Sequence, residues 1–231
     1  MSRPLVVYGL GLALWGLGIL TSQVAVAATD SDVQSWTSIG ILGKPKTDTG
    51  LVYWFDLQLR RTSKDAFSIV RPGIGYQFFP DLSAVVGYAW TPSFPDEGPS
   101  KYEQSLWQQL LWSVQSGRAT FGVRPRLEQR SSSQSEFADL SHRARLWARA
   151  SYTPVKGKPW MLVSWEEVFW GLNTTNWGPK SGFDQNRAFG GVGFATPNGL
   201  RIEVGYLNIF AKRKPNNQAN HALSVGIFYV F

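Results

Sequence analysis

The chain has 231 residues, a formal charge of +7, 14% aromatic residues including 11 tryptophans, and no cysteine. The length accommodates one sizeable domain or two small ones. The missing cysteines exclude disulfides and thiolate metal sites, and the aromatic weight with only 17% charged residues excludes a disordered chain.

The N-terminus reads as an address. Arg3 provides a positive start, residues 5–20 form an uncharged apolar run, and Ala25-Val26-Ala27 is an A-x-A cleavage pattern. The run is shorter than the ~20 residues a membrane-spanning helix needs. Residues 1–28 are therefore expected to be a signal peptide. No later segment is apolar enough for a membrane helix, so the exported product is either soluble or inserted as a barrel.

After residue 50 the hydrophobic period is two. Over 51–60, Tyr53, Phe55, Leu57 and Leu59 alternate with Asp56, Gln58 and Arg60. Over 120–130, Phe121, Val123, Pro125 and Leu127 alternate with Arg124, Arg126, Glu128 and Arg130. Ala144, Leu146, Ala148 and Ala150 alternate with Arg143, Arg145, Trp147 and Arg149, and the pattern returns at 201–208. Such alternation marks strands with one apolar and one polar face. Ten are expected, at 51–61, 66–78, 82–91, 103–115, 119–130, 141–152, 159–172, 185–195, 200–209 and 221–231. Short connections (FFPDLS, QSGRA, TPVKGKP, TPNG) alternate with long polar ones (TPSFPDEGPSK, SSSQSEFADL, NTTNWGPKSG, AKRKPNNQAN). A membrane barrel has that rhythm of short periplasmic turns and long external loops.

The fold expectation is all-β: a transmembrane antiparallel up-and-down barrel of about ten strands, with twelve as the alternative, spanning 51–231. WTSIGILG at 36–43 also looks like a strand, but counting it gives eleven. The N-terminal segment 29–50 is therefore expected to be periplasmic, at an edge or within the lumen. In the last strand Leu223, Val225, Ile227, Tyr229 and Phe231 share one face. Val225, Ile227, Tyr229 and Phe231 form the expected C-terminal assembly signal for the barrel-assembly machinery. Trp and Tyr near strand ends would serve as interface girdles.

A run of motifs (WTSIGILG, RPGIGYQ, LSAVVGYAW, WQQLLW, RPRLEQR, WEEVFW, SGFDQNRAFGGVGF, IEVGYLN and the terminal strand) resembles, in order, the bacterial family named domain of unknown function 2490. The resemblance spans about 33–231. It implies an outer-membrane-type protein and carries no catalytic residues. Ser105 stands two positions before Trp107, where the family often has an arginine, so a lumen charge is missing there.

Ten of the fourteen arginines fall on polar strand faces: Arg60, Arg71, Arg124, Arg126, Arg130, Arg143, Arg145, Arg149, Arg187 and Arg201. Asp56, Glu103, Glu128, Glu203 and one of Glu166 or Glu167, with Glu167 preferred, share those faces. A lipid-facing charge at mid-bilayer costs about 2–4 kcal/mol, so these residues are expected to form a lumen charge network. Every lysine falls in a turn or loop. The expected function is a structural barrel or a narrow anion or small-solute passage. The alternatives are an outer-membrane lipid-modifying enzyme and a loop-mediated adhesin or receptor.

Enzyme motifs are thin. His221 with Ser224, and Ser141 with His142, would point to opposite faces of a strand. Glu128 with Glu167 or Glu203 lacks a sugar-sized cleft. No catalytic residue, metal or cofactor is assigned. Expected partners are outer-membrane lipid, lipopolysaccharide on loop lysines, and the assembly machinery. Nucleic acid is not among them, because the arginines alternate inward.

Overall fold

The computed structural model describes residues 29–133 and 139–231. The expected signal peptide, 1–28, lies outside the described residues. Eleven strands follow one another: β1 (Thr29–Gly43), β2 (Gly50–Arg61), β3 (Asp65–Phe79), β4 (Leu82–Pro95), β5 (Lys101–Ser116), β6 (Ala119–Ser132), β7 (Ser141–Tyr152), β8 (Trp160–Gly171), β9 (Gly182–Ala195), β10 (Leu200–Ala211) and β11 (Asn217–Val230). Sequence neighbours pair antiparallel, and β1 meets β11 to close a barrel. No helix occurs among the described residues.

The all-β barrel matches the expectation; the strand number does not. It is eleven rather than ten or twelve, and segment 29–50 is not separate from the wall. β1 pairs antiparallel with β2, from Ser35↔Arg61 to Gly43↔Tyr53, and parallel with β11, from Thr29↔Asn217 to Leu42↔Val230. The even count follows only if every neighbouring pair is antiparallel, and one parallel seam removes that condition. Only 44–49 remain as a connection. At the seam, the Phe231 amide donates to the Leu42 carbonyl at 3.2 Å, and the Lys44 amide donates to the Phe231 carbonyl at 2.7 Å.

The connections are also shorter than the polar runs imply. The second predicted loop, 91–101, shrinks to 96–100, and 211–220 shrinks to 212–216, because β4, β5 and β11 continue into these runs. Polar residues at the rim, such as Lys101 opposite Ser93, still pair in the ladder. Only 133–140 and 172–181 remain as long connections at one end, called here the loop end. The other end carries the two-residue turns 80–81 and 117–118 and is called the turn end.

Alternation sorts the side chains. Leu51, Tyr53, Ile74, Val86, Leu106, Leu146, Val192 and Val204 stand exposed on the outside. The opposite set is buried in the interior, where Val52, Val85, Ala89 and Trp107 form one apolar cluster. Trp36, Val163, Phe189, Leu207, Ile209 and Ala222 form another. Gly73 and Gly87 are opposed in neighbouring strands beneath the fully buried Trp107 indole. A Cβ on Gly73 would sit 2.6 Å from that ring, so glycine is needed for the indole to lie across the wall.

Candidate functional site inside the barrel

Strand register sets the interior chemistry. In β6 and β7, Glu128 faces Arg143 and Arg126 faces Arg145; in β8 and β9, Glu167 faces Arg187. Cross-strand neighbours on one face lie ~5 Å apart, within reach of a guanidinium. Glu128 accepts from Arg143 Nε at 2.8 Å and Nη2 at 2.6 Å, and Arg145 Nη1 reaches its other oxygen. Arg145 also donates to Glu167 from Nη2 at 2.6 Å, so this guanidinium bridges two carboxylates. Arg124 and Arg187 approach Glu167 at 3.4 and 3.6 Å. Arg126 lies 3.7 Å from Glu128 and donates through Nε to Gln109 at 2.9 Å.

Smaller groups surround this centre. Arg130 forms a two-toothed pair with Glu103 at 2.8 and 2.6 Å. Arg71 pairs with Asp56. Arg149 donates to Glu203 at 2.7 Å, while Arg201 Nε lies 2.8 Å from the same oxygen without hydrogen-bond alignment. Arg60 donates to Gln58 at 2.7 Å and stacks on Trp36. The rigid guanidinium fork suits such sharing, since each can serve two acceptors and an aromatic face.

The structure thus brings most of the network candidates into one connected interior. Among the described residues Arg60 pairs with no carboxylate, and Glu166 turns outward, accepting from Asn186 at 2.6 Å. Sequence reasoning missed Phe169, whose ring lies under Arg143, Arg145 and Arg187 at 4.3–5.2 Å. It also missed Trp107, Gln109, and Asp184 beside Arg143 and Arg213. Phe169, Trp107 and Gln109 lie on the inward parity of β8 and β5, so strand pairing could have found them; Asp184 sits at the Phe169/Trp170 bulge.

The two halves of the interior are filled differently. At the loop end, connection 172–181 folds inward: Thr175 is buried, Trp177 lies beneath Arg130, and Trp177 Nε1 donates to the Asp139 carbonyl at 2.9 Å. Toward the turn end a cavity of about 300 Å³ remains, with Lys44 and Asp81 at its mouth and Glu167 and Arg187 at its floor.

A family model described as protein of unknown function, DUF2490, matches residues 33–220, from inside β1 to inside β11. The chain belongs to that family. This DUF2490 chain is 28% identical over 218 residues to an uncharacterized protein of Methylorubrum extorquens, covering 91% of this chain and 92% of that one. No solved structure matches it.

The remaining reactive side chains of the DUF2490 chain do not converge. His221 is outside, its Nδ1 2.5 Å from the Tyr206 hydroxyl, whereas Ser224 is buried inside. His142 is exposed and Ser141 buried. Among the described residues, no three His, Cys, Asp or Glu side chains are arranged to hold a metal ion.

Proposed function

We propose that this protein is an outer-membrane barrel that does not conduct, its interior shut by an Arg–carboxylate plug and a folded-in loop. The observation carrying the closed reading is Arg145, held between Glu128 and Glu167 with Phe169 packed beneath it. Barrels of about eight strands are filled by their own side chains. Three additional strands add width, which large arginine and aromatic side chains occupy here.

The membrane reading rests on the outside. Exposed Leu, Val, Ile, Tyr and Trp ring the wall, and the strands are 12–16 residues long, ample for a tilted crossing. In this reading the turn end faces the periplasm. Lys64, Lys101, Lys180, Lys212 and Lys214 then lie at the external end, facing lipopolysaccharide phosphates. The signal read by the assembly machinery is Val225, Ile227 and Tyr229 on the outer face, with Phe231 stacked on Tyr229 at 5.8 Å.

Two measurements test the proposal. Membrane fractionation should recover the mature chain with the outer membrane; recovery in the aqueous fraction would overturn the location. In planar bilayers the protein should give no stable channel, and Glu128→Ala should produce leak by loosening the plug. Steady unitary conductance of the unaltered protein would overturn the closed reading.

A further inference from the structure

The turn-end cavity has a chemistry of its own. Its walls are aromatic: Trp54, Trp147, Trp165 and Phe228 line it, and Trp165 stacks on Phe189 at 5.3 Å. Small inward positions such as Gly122 and Ser224 leave it hollow, while Gly40 and Gly226 make room for the Phe228 ring. Its floor is cationic. Arg124 lies between Trp54 and Trp147, with centroids at 5.5 and 4.7 Å. Among the described residues its one carboxylate contact is Glu167 at 3.4 Å, on an oxygen that Arg145 already occupies at 2.6 Å. Beside it Arg149 is about nine-tenths buried, and among the described residues its Nε–H has no hydrogen-bond partner; the Trp54 Nε1–H has none either.

Buried donors without acceptors are costly, and both residues line the cavity. Across the interior the ten arginines outnumber Asp56, Glu103, Glu128, Glu167, Asp184 and Glu203. Among the described residues that excess of positive charge lacks an equal counter-charge inside the barrel. Aromatic walls favour a flat apolar body, and unpaired guanidinium N–H groups favour a single acidic group. The volume is at the small end of the ~300–1,000 Å³ range for ligand cavities.

We propose that the turn-end cavity binds a small aromatic carboxylate, its acid group on Arg124 and Arg149 and its ring against the aromatic walls. The site rests on the closed-barrel reading for its floor, and Lys44 and Asp81 line it at the turn end.

2-Naphthoate serves as the probe, titrated into the full chain in non-ionic detergent and followed by calorimetry and tryptophan quenching. Saturable binding at one site per barrel is expected, weakened at least about tenfold by Arg124→Gln, since a charge-assisted hydrogen bond is lost. Neutral 2-naphthamide should bind at least about tenfold more weakly than the acid. Unchanged heat-modifiable gel mobility would show that Arg124→Gln still folds, and Arg149→Gln provides a second variant. Absence of saturable binding, equal binding of the amide, or indifference to both variants would overturn the site. Conductance is measured separately, so a protein that binds no naphthoate yet stays electrically silent defeats this site alone. One that conducts defeats the closed reading.

Discussion

The two halves of the barrel interior are lined by the same eleven strands yet differ in content. Toward the loop end the inward positions carry Glu103, Glu128, Arg130, Arg143, Arg145 and Phe169, which interlock. Toward the turn end glycine and serine alternate with a few aromatic rings, and space remains. The backbone cylinder is common to both, so side-chain size alone decides where the barrel is solid and where it is hollow. A wall of fixed circumference can therefore hold a plug and a pocket in series, without a separate domain for either.

Substitutions can break or sharpen that contrast. Glu128→Ala should have the largest effect. It leaves Arg143 and Arg145 without their shared acceptor and Arg126 without a neighbouring carboxylate, and removing one partner of a buried pair costs about 3–5 kcal/mol. Urea unfolding in lipid vesicles, followed by tryptophan fluorescence, measures it. Next comes Leu106→Arg on the exposed outside of β5, expected to cost about 2–4 kcal/mol in vesicles if this face meets hydrocarbon. A loss near zero would show that it does not.

The glycine pair separates the packed from the hollow zones. Gly73→Ala would push a methyl against Trp107 and should cost about 1–3 kcal/mol by overpacking. A Cβ on Gly122, in the cavity wall, meets nothing nearer than 3.6 Å. Gly122→Ala should therefore change unfolding free energy by less than about 0.5 kcal/mol. Equal costs would erase the distinction between packed and hollow zones. The smallest effect is expected at the rim, where Arg61 and Asp96 pair at 3.0 Å with both side chains about half exposed. Arg61→Ala should cost under ~1 kcal/mol and respond to salt.

The wall was legible in the sequence because period two is a local signal. Tyr53, Leu57 and Leu59 against Asp56 and Arg60 already state which side is which. Two things were not local. WTSIGILG has the look of a strand, but its place depends on pairing with β2 on one side and β11 on the other, and no pattern within eight residues encodes a parallel partner. Loop length misled because polar residues such as Lys101 and Asn217 extend the ladder past the apolar band. Inside, the pool of arginines and carboxylates could be named from parity. Which carboxylate shares which arginine depends on register, as with Arg145 reaching both Glu128 and Glu167. The choice between Glu166 and Glu167 depends likewise on the pairing that aligns Glu167 with Arg187.

The seam between β1 and β11 bears on how the cylinder is assembled. Hairpins β2–β3 through β10–β11 can zip as each stretch of chain meets its predecessor. The joint between Asp30 and Asn216 unites residues 186 positions apart and waits for the final strand. Until then two raw margins present unpaired amides and carbonyls to any extended strand nearby. So long-range a closure is slow, so these two margins are the last in the wall to lose their exposed hydrogen-bonding groups.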